Sequence, residues 1–402
     1  MTINKNGNLV KSFKTRIYPN QDQKNYFNKC FGVRRKVWNM ALEDYQNRDD
    51  DRQFSGFDFQ KKLNNEIKQS GEYPYLYEVN SMVRQESLKD LDDSFKRYRD
   101  EQKKARKSKH TIDTEKFKPK FKKKKHSNES FRFMVKDKKS LPIRFLSKKW
   151  IKVSVMKGIK PFIIKSKESM KFVNSNNHRF LSYTISRKNE KFYISVTYEI
   201  NNYKKQRENN YSIGIDMGMK TPLACVDSNG QVFEFKIPYR LWEQERKTEK
   251  LHRKLDSKKY YSKSYYKTLK QLRKSYNREE NILEDYRDKI TNWLVKNYKI
   301  INIEPYSHQL GENLKRSARR SNRRFGKYDF LEKLKYKIIQ YDNELNIITK
   351  KKTTQTCSSC GYVRNNEEKL VLGDEIHDCP NCEVVLDRDL NAAKNILDLK
   401  YV

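Results

Sequence analysis

CSSCGYVRNNEEKLVLGDEIHDCPNC, Cys357 to Cys382, followed directly by EVVLDRDLNAAKNI, is the stretch that decides how this chain is read. Two CxxC pairs stand eighteen residues apart. Each pair bends as a knuckle, and the four thiolates of Cys357, Cys360, Cys379 and Cys382 make a tetrahedral Zn²⁺ site; an iron-sulfur site is the minor reading. His377 lies two residues before Cys379, but four cysteines already fill the shell. So closed a site is structural, and it folds a loop where no core can form. Five residues beyond Cys382 stand Asp387 and then Asp389, the latter opening the apolar-periodic run LNAAKNILDL.

Working outward, two other acids sit where apolar strands end: Asp216 closes SIGID, and Glu304 closes KIINIE. A carboxylate there is costly to bury unless a cation holds it. Strands, a long charged helical stretch, a strand ending in Glu, then an Asp on a closing helix is the order of an RNase H-like nuclease. In that fold three acids converge on two Mg²⁺ ions. Hard oxygen ligands suit Mg²⁺, whose shell is completed by water and substrate phosphate. Spacing alone leaves Asp387 and Asp389 as rivals for the third position. The cysteine module then reads as an insert between a strand near LNIIT (345–349) and the helix carrying Asp389, at the lip of the cleft.

The earlier chain divides by periodicity. LVKSFKTRIY (9–18) is a strand ended by Pro19, and residues 21–106 turn helical. Phe27, Phe31, Val37, Trp38 and Leu42 share one face, and Val83, Leu88, Leu91, Phe95 and Tyr98 another. Past FKPKFKKKKH, the short aromatic and β-branched runs FRFMV, WIKVSVM, FIIKS, FLSYTISR and FYISVTYEI predict strands. With residues 9–18 these suggest a small barrel interrupted by the helices. After NNYKKQRENN a new unit opens, with a hairpin turn at Asn229-Gly230. Residues 241–298 predict an antiparallel helical hairpin whose seam is Leu269, Leu272, Tyr276, Leu283, Tyr286, Ile290 and Leu294.

Charge points to the partner. The 402 residues carry 89 Lys+Arg against 51 Asp+Glu, a formal +38 spread along the whole length. That favours a long nucleic acid touched by several domains, with binding that weakens as salt rises. Four of the six cysteines are in the CxxC pairs, which suits a reducing compartment rather than a disulfide framework. The N-terminal MTINKNGNLVKSFKTRIYP has no apolar signal region, and no run approaches the roughly 20 apolar residues of a membrane helix.

Together these motifs resemble the TnpB family, transposon-encoded RNA-guided nucleases related to the miniature type V CRISPR effectors. TTQTCSSCGY, CPNC and DRDLNAAKNIL resemble its C-terminal signature, and GIDMGMKTPLACV and IINIEPY look like its first two RuvC motifs. VRRKVWNMAL and QESLKDLDDSF resemble N-terminal patterns more loosely. The resemblance implies catalytic, Mg²⁺-binding Asp216, Glu304 and Asp389, the last because the family's third Asp immediately precedes xNAA. It implies Zn²⁺ on Cys357, Cys360, Cys379 and Cys382. It further implies an α/β multi-domain chain. Residues 1–20 and 107–203 form a wedge-like β-barrel, 21–106 a helical recognition lobe, 204–350 and 386–402 a RuvC-like nuclease domain, and 351–385 the inserted zinc ribbon, which binds target nucleic acid. The partners so implied are a guide RNA, a double-stranded target DNA with a short flanking motif, and its displaced single strand. The expected protein is cytoplasmic and held to the nucleoid through DNA, or nuclear in a eukaryote, and is a monomer or a dimer on its RNA. Pro305-Tyr306 departs from the Asp or Asn and then Leu usual after the family's Glu.

Candidate nucleic-acid contacts are Arg34, Arg35 and Gln85 for duplex DNA, and Lys118, Lys120, Lys122 and Lys123 of the Phe-interleaved basic run for RNA. Arg319, Arg320, Arg323 and Arg324 of KRSARRSNRRFG are expected to meet phosphates beside the metals. Trp38, on the same helix as Arg34, reads more readily as core. Two rival functions remain: a nuclease-inactive RNA-guided repressor, and an RNase H-like transposase.

Overall fold

A computed structural model describes the chain except for residues 1, 4–6, 49–52, 108–112, 125–128, 136–142, 148, 154–159, 169–176, 202–209, 219–220, 305–324, 349–351, 372 and 399–402. It forms two compact units, Asn4–Asn202 and Tyr203–Val402, the second also holding β1 (Thr2–Ile3).

The first unit begins with β2 (Leu9–Tyr18) and α1 (Gln21–Gln46). A capping box fixes where α1 starts: the Asn20 side chain accepts from Gln23 N, and the Gln23 side chain accepts from Asn20 N. Next, α2 (Gly56–Lys62) passes through a π turn into the short α3 (Lys68–Ser70), and α4 spans Ser81–Lys107. The buried faces of α1 and α4 carry the residues that periodicity predicts, among them Phe27, Phe31, Val37, Leu42, Val83, Leu91 and Phe95.

Six further strands follow: β3 (Glu129–Met134), β4 (Ile143–Ser147), β5 (Trp150–Val153), β6 (Phe162–Ser166), β7 (His178–Lys188) and β8 (Lys191–Ile200). They pair antiparallel in the order β3-β7-β8-β2-β6-β5-β4. Among the described residues the edge strands β3 and β4 do not pair, so the expected barrel is an open half-barrel. Its inner face packs aromatic rings from the helices against those of the sheet, as where Phe27 meets Phe131 and Phe192.

The second unit is built on a five-stranded sheet. Its strands are β9 (Ser212–Asp216), β10 (Leu223–Asp227), β11 (Val232–Phe235), β12 (Ile300–Glu304) and β13 (Glu344–Ile347), in the order β11-β10-β9-β12-β13. β9, β10 and β11 form an antiparallel meander, while β12 lies parallel to β9, and β13 parallel to β12. The meander turns at Gly230, whose φ of +77° suits the residue without a Cβ. Asp227 accepts from Asn229 N and Gln231 N to close the same turn.

The two faces of this sheet are covered differently, because side chains alternate along a strand. Ile213, Ile215, Ile301 and Ile303 join a core with α6 (Lys263–Asn297) and α7 (Lys327–Tyr341), through Ile290, Leu294, Phe330 and Leu334. The intervening residues Gly214, Asp216, Asn302 and Glu304 face the other way. That face receives α8 (Arg388–Asp398). Gly214 makes the docking possible, because a Cβ there would collide with the backbone of Ala393 and Leu397.

The predicted helical hairpin is present as α5 (Tyr239–Asp256) and α6. Its seam differs from the expected apolar stripe, since Tyr276 is exposed. In the stripe's place, buried Gln244 donates to Ser275 Oγ at 2.6 Å, and the Thr248 and Ser275 hydroxyls meet at 2.8 Å. Only Leu272 of the apolar residues near that level is fully buried.

Candidate active site and metal centre

Asp216 and Glu304 stand opposite one another as the last residues of the parallel pair β9 and β12. Adjacent strands lie about 4.8 Å apart, so the two side chains leave the same face of the sheet side by side. Asp389, in the first turn of α8, completes the group: a Cβ on Gly218, just past the end of β9, would come within 2.5 Å of Asp389 Oδ2. The side chains of the two aspartates are placed differently. Asp387 caps α8, its Oδ1 accepting from Asp389 N at 2.9 Å and Leu390 N at 3.0 Å, whereas Asp389 points toward β9.

The electrostatics record the crowding. Burial first, then the charges of Asp389 and Glu304, push the Asp216 carboxyl up to about 7. Burial also raises Glu304, opposed by a hydrogen bond from Thr353 Oγ1. Asp389 is raised by burial and by Asp387. Like charges so placed disfavour ionisation of all three, and a cation beside them offsets that cost. The three carboxylates offer the hard oxygen donors that Mg²⁺ takes, but among the described residues only the four cysteines gather their ligand atoms within 4.8 Å of one another.

Two residues of the site were not among the candidates that the sequence offered. Buried Lys327, at the start of α7, donates to Met217 O at 2.8 Å, and its ammonium faces the charges of Asp216 and Asp389. Burial lowers its pKa to about 8 despite those two carboxylates. Buried Thr353 holds Glu304 from the base of the cysteine module. Only their tertiary placement reveals them, although Thr353 lies within the motif TTQTC.

The cysteine module spans the two knuckles and a hairpin of β14 (Ile376–Asp378) with β15 (Val385–Asp387). Both knuckles close alike: Cys357 N donates to Tyr362 O and Gly361 N to Cys357 O, while Cys379 N donates to Val384 O and Glu383 N to Cys379 O. The four Sγ atoms all lie within 4.8 Å of one another. Cys357 and Cys382 are 3.7 Å apart, and Cys360 and Cys379 are 3.6 Å apart. Four sulfurs at about 2.3 Å around a tetrahedral zinc stand about 3.8 Å from each other, so the cluster fits a structural zinc. His377 is buried and lies outside this cluster. The module is bonded to the acid-bearing helix: Asn391 Oδ1 accepts from Ser358 N, and Asn391 and Asn395 both donate to Thr356 O. Asn395 also donates to Thr353 O.

The candidate nucleic-acid residues of the first unit separate into two groups. Arg34 pairs with Asp90 and donates to Ser130 O at 2.7 Å; Arg35 pairs with Glu129 at 2.6 Å. Both tie α1 to its neighbours within the unit. Lys122 lies 3.2 Å from the ring centroid of buried Trp38, and burial and Arg34 lower its pKa to about 7. Gln85, Lys118, Lys120 and Lys123 are exposed. Arg319, Arg320, Arg323, Arg324, Pro305 and Tyr306 lie outside the described residues.

Comparison with known proteins gives three family matches: the Cas12f1-like TNB domain over residues 328–396, the "Probable transposase" OrfB_IS605 over 195–305, and a helix-turn-helix domain of the same group over 9–49. In this chain the described residues of that last segment form β2 and the single long helix α1. TnpB-like protein L770 of Acanthamoeba polyphaga mimivirus is 27% identical over 252 residues, 60% of this chain and 45% of its own. The "Putative RNA-guided DNA endonuclease InsQ" of Escherichia coli K12 is 26% identical over 229 residues, 53% of this chain and 55% of its own. The chain spans less than half the length of the mimivirus TnpB-like proteins it matches. A cryo-EM structure of a Cas12f1-sgRNA-target DNA complex aligns with 98% of this chain and 99% of that one, at 15% identity and a TM-score of 0.48, a likeness too loose to carry an argument.

Proposed function

From the premise that this chain is a TnpB-family protein, we propose that it is an RNA-guided DNA endonuclease, cutting target DNA beside a short flanking motif through a RuvC-like centre. The supporting observation is the pairing of Asp216 with Glu304 at the ends of two parallel strands, with Asp389 carried onto the same face by a helix docked at Gly214. The strand order and the helix on that face suit the RNase H-like reading.

In this reading Asp216, Glu304 and Asp389 would hold two Mg²⁺ ions, which when bound would supply an activated water and stabilise the leaving 3′ oxygen. The chain's own residues prepare that centre. Thr353 fixes the orientation of Glu304, and Lys327 supplies the fixed positive charge beside Asp216 and Asp389. The ribbon, bonded to α8 through Asn391 and Asn395, keeps Asp389 in place while presenting its own surface to target nucleic acid.

The remaining assignments belong to the same proposal. Residues 1–20 and 107–203 act as the wedge, 21–106 as the recognition lobe, 204–350 and 386–402 as the nuclease domain, and 351–385 as the zinc ribbon. Exposed Gln85, Lys118, Lys120 and Lys123 serve as nucleic-acid contacts. With one centre the two DNA strands are cut in turn, after guide pairing has displaced one of them.

The deciding experiment combines the protein, the RNA that copurifies with it, and a duplex matching that RNA. Asp216→Ala lowers cleavage by at least about a thousandfold, as expected when a metal-holding acid is lost, and leaves RNA affinity within about twofold. Undiminished cutting by Asp216→Ala sinks the assignment. The "Probable transposase" description of residues 195–305 keeps strand transfer as a second reading. Joined rather than free DNA ends among the products would favour it.

A further inference from the structure

The tip of the helical hairpin carries a feature that the nuclease reading does not use. Between α5 and α6 the chain reads KKYYSKSYYK (258–267), and the four tyrosines gather at the end of the hairpin. Tyr260 meets Tyr261 with ring centroids 4.2 Å apart and Tyr265 at 4.9 Å; Tyr265 meets Tyr266 at 5.7 Å. Tyr260, Tyr261 and Tyr266 are nevertheless 62%, 68% and 52% exposed. The rings touch one another and present their remaining faces outward.

The hairpin does not need these rings to turn. Ser262 caps α6 by accepting from Tyr265 N at 3.0 Å, and Ser262 N donates to Lys259 O at 3.2 Å. Tyr261 in fact works against the turn, because its φ of +65° is a left-handed conformation in which a bulky side chain is strained. Glycine or asparagine would suit a plain connection better. A strained, exposed aromatic at a loop tip points to function.

The surrounding charge identifies the partner. From Lys254 to Lys270 there are six lysines and a single acid, Asp256. Lysines grip a phosphate backbone, and exposed rings stack on unpaired bases whatever their sequence. The 18 residues of α5 set the tip about 27 Å from the helix's base beside the sheet. A tip a helix length from the base of the hairpin suits a strand that is held rather than cut, and phenolic hydroxyls can bond the ribose 2′-OH.

We infer that the tyrosine tip, Tyr260, Tyr261, Tyr265 and Tyr266 with Lys259, Lys263 and Lys267, is a stacking site for an unpaired segment of RNA. It rests on the RNA partnership of the proposed function but not on its chemistry.

The test uses the full chain in the Asp216→Ala background, so that nothing is cut. Binding of fluorescent oligonucleotides of about twelve units is followed by anisotropy at about 0.3 M salt, as single-stranded RNA, single-stranded DNA and duplex DNA. The triple variant Tyr260→Ser/Tyr261→Ser/Tyr266→Ser keeps every lysine. It should bind single-stranded RNA at least about tenfold more weakly, the scale of one lost base stack, with duplex affinity and salt slope unchanged. Tyr261→Gly should keep or raise the thermal midpoint, since it relieves the backbone, while weakening RNA binding. Unchanged RNA affinity in the triple variant overturns the tip site alone. An equal loss for DNA overturns the commitment to RNA, and a lowered midpoint in Tyr261→Gly overturns the argument from strain. If the parent chain does not bind RNA at all, the functional reading falls and the tip site with it.

Discussion

Asp216 shows how a single residue reports on the whole site. Its carboxyl is held near 7 because its charge is buried and faces two other acids. A folded-state pKa above the ordinary carboxylate value means that ionisation opposes folding. The penalty is absent below about pH 4, where the group is protonated in both states, and it grows to its full size as pH rises past about 7. Its scale is on the order of a few kcal/mol. Without divalent cation, Asp216→Asn should therefore melt above the wild type at about pH 8, with a gap that shrinks toward about pH 5.5 and narrows when Mg²⁺ is added. Equal midpoints at the higher pH would show that the acids do not crowd one another. Asp216 and Glu304 were legible because an acid ending an apolar strand violates the local pattern. Lys327 and Thr353 break no local rule, and only the third dimension brings them to the acids. Spacing left Asp387 and Asp389 open, the family resemblance chose Asp389, and in the structure the Asp387 side chain caps α8.

Among the elements, the cysteine module has two attachments to the site: Thr353 to Glu304, and the Asn391 and Asn395 side chains to the ribbon backbone. A module of this size without a core depends on its metal for folding. Stripping zinc should expose residues 352–387 to proteolysis and abolish cleavage together. Adding back Zn²⁺ with Mg²⁺ should restore both, and Mg²⁺ alone neither. Cleavage that survives a proteolytically open ribbon would show that the module does not position the acids. CxxC spacing made this element readable, and helical periodicity located α1, α4, α5 and α6. The polar seam of the hairpin was not readable, because Gln244, Thr248 and Ser275 look like surface residues until their hydroxyls and amide meet. The half-barrel's open edge was equally hidden, since strand content does not say whether the first and last strands close.

For the whole molecule, the +38 charge governs association. Binding to nucleic acid should fall by about 10³-fold or more between about 50 and 200 mM salt, as for a protein that neutralises six or more phosphates. A shallow slope in a salt titration would mean that the lysines are surface ornament. The boundary between the two units falls in the polar run NNYKKQRENN, but nothing local located β2 between β8 and β6, whose partners lie well over a hundred residues further along. Such pairings are settled by register across the folded unit, not by local pattern.

The docking of α8 on Gly214 also orders events in time. Asp216 leaves the ribosome long before Asp389, and at roughly 5–20 residues per second the interval between them is about ten to thirty seconds. Throughout that interval the nascent chain can already display its basic first unit to any nearby nucleic acid. It cannot yet bring its three acids together, so under the proposed nuclease function translation itself keeps binding ahead of cutting.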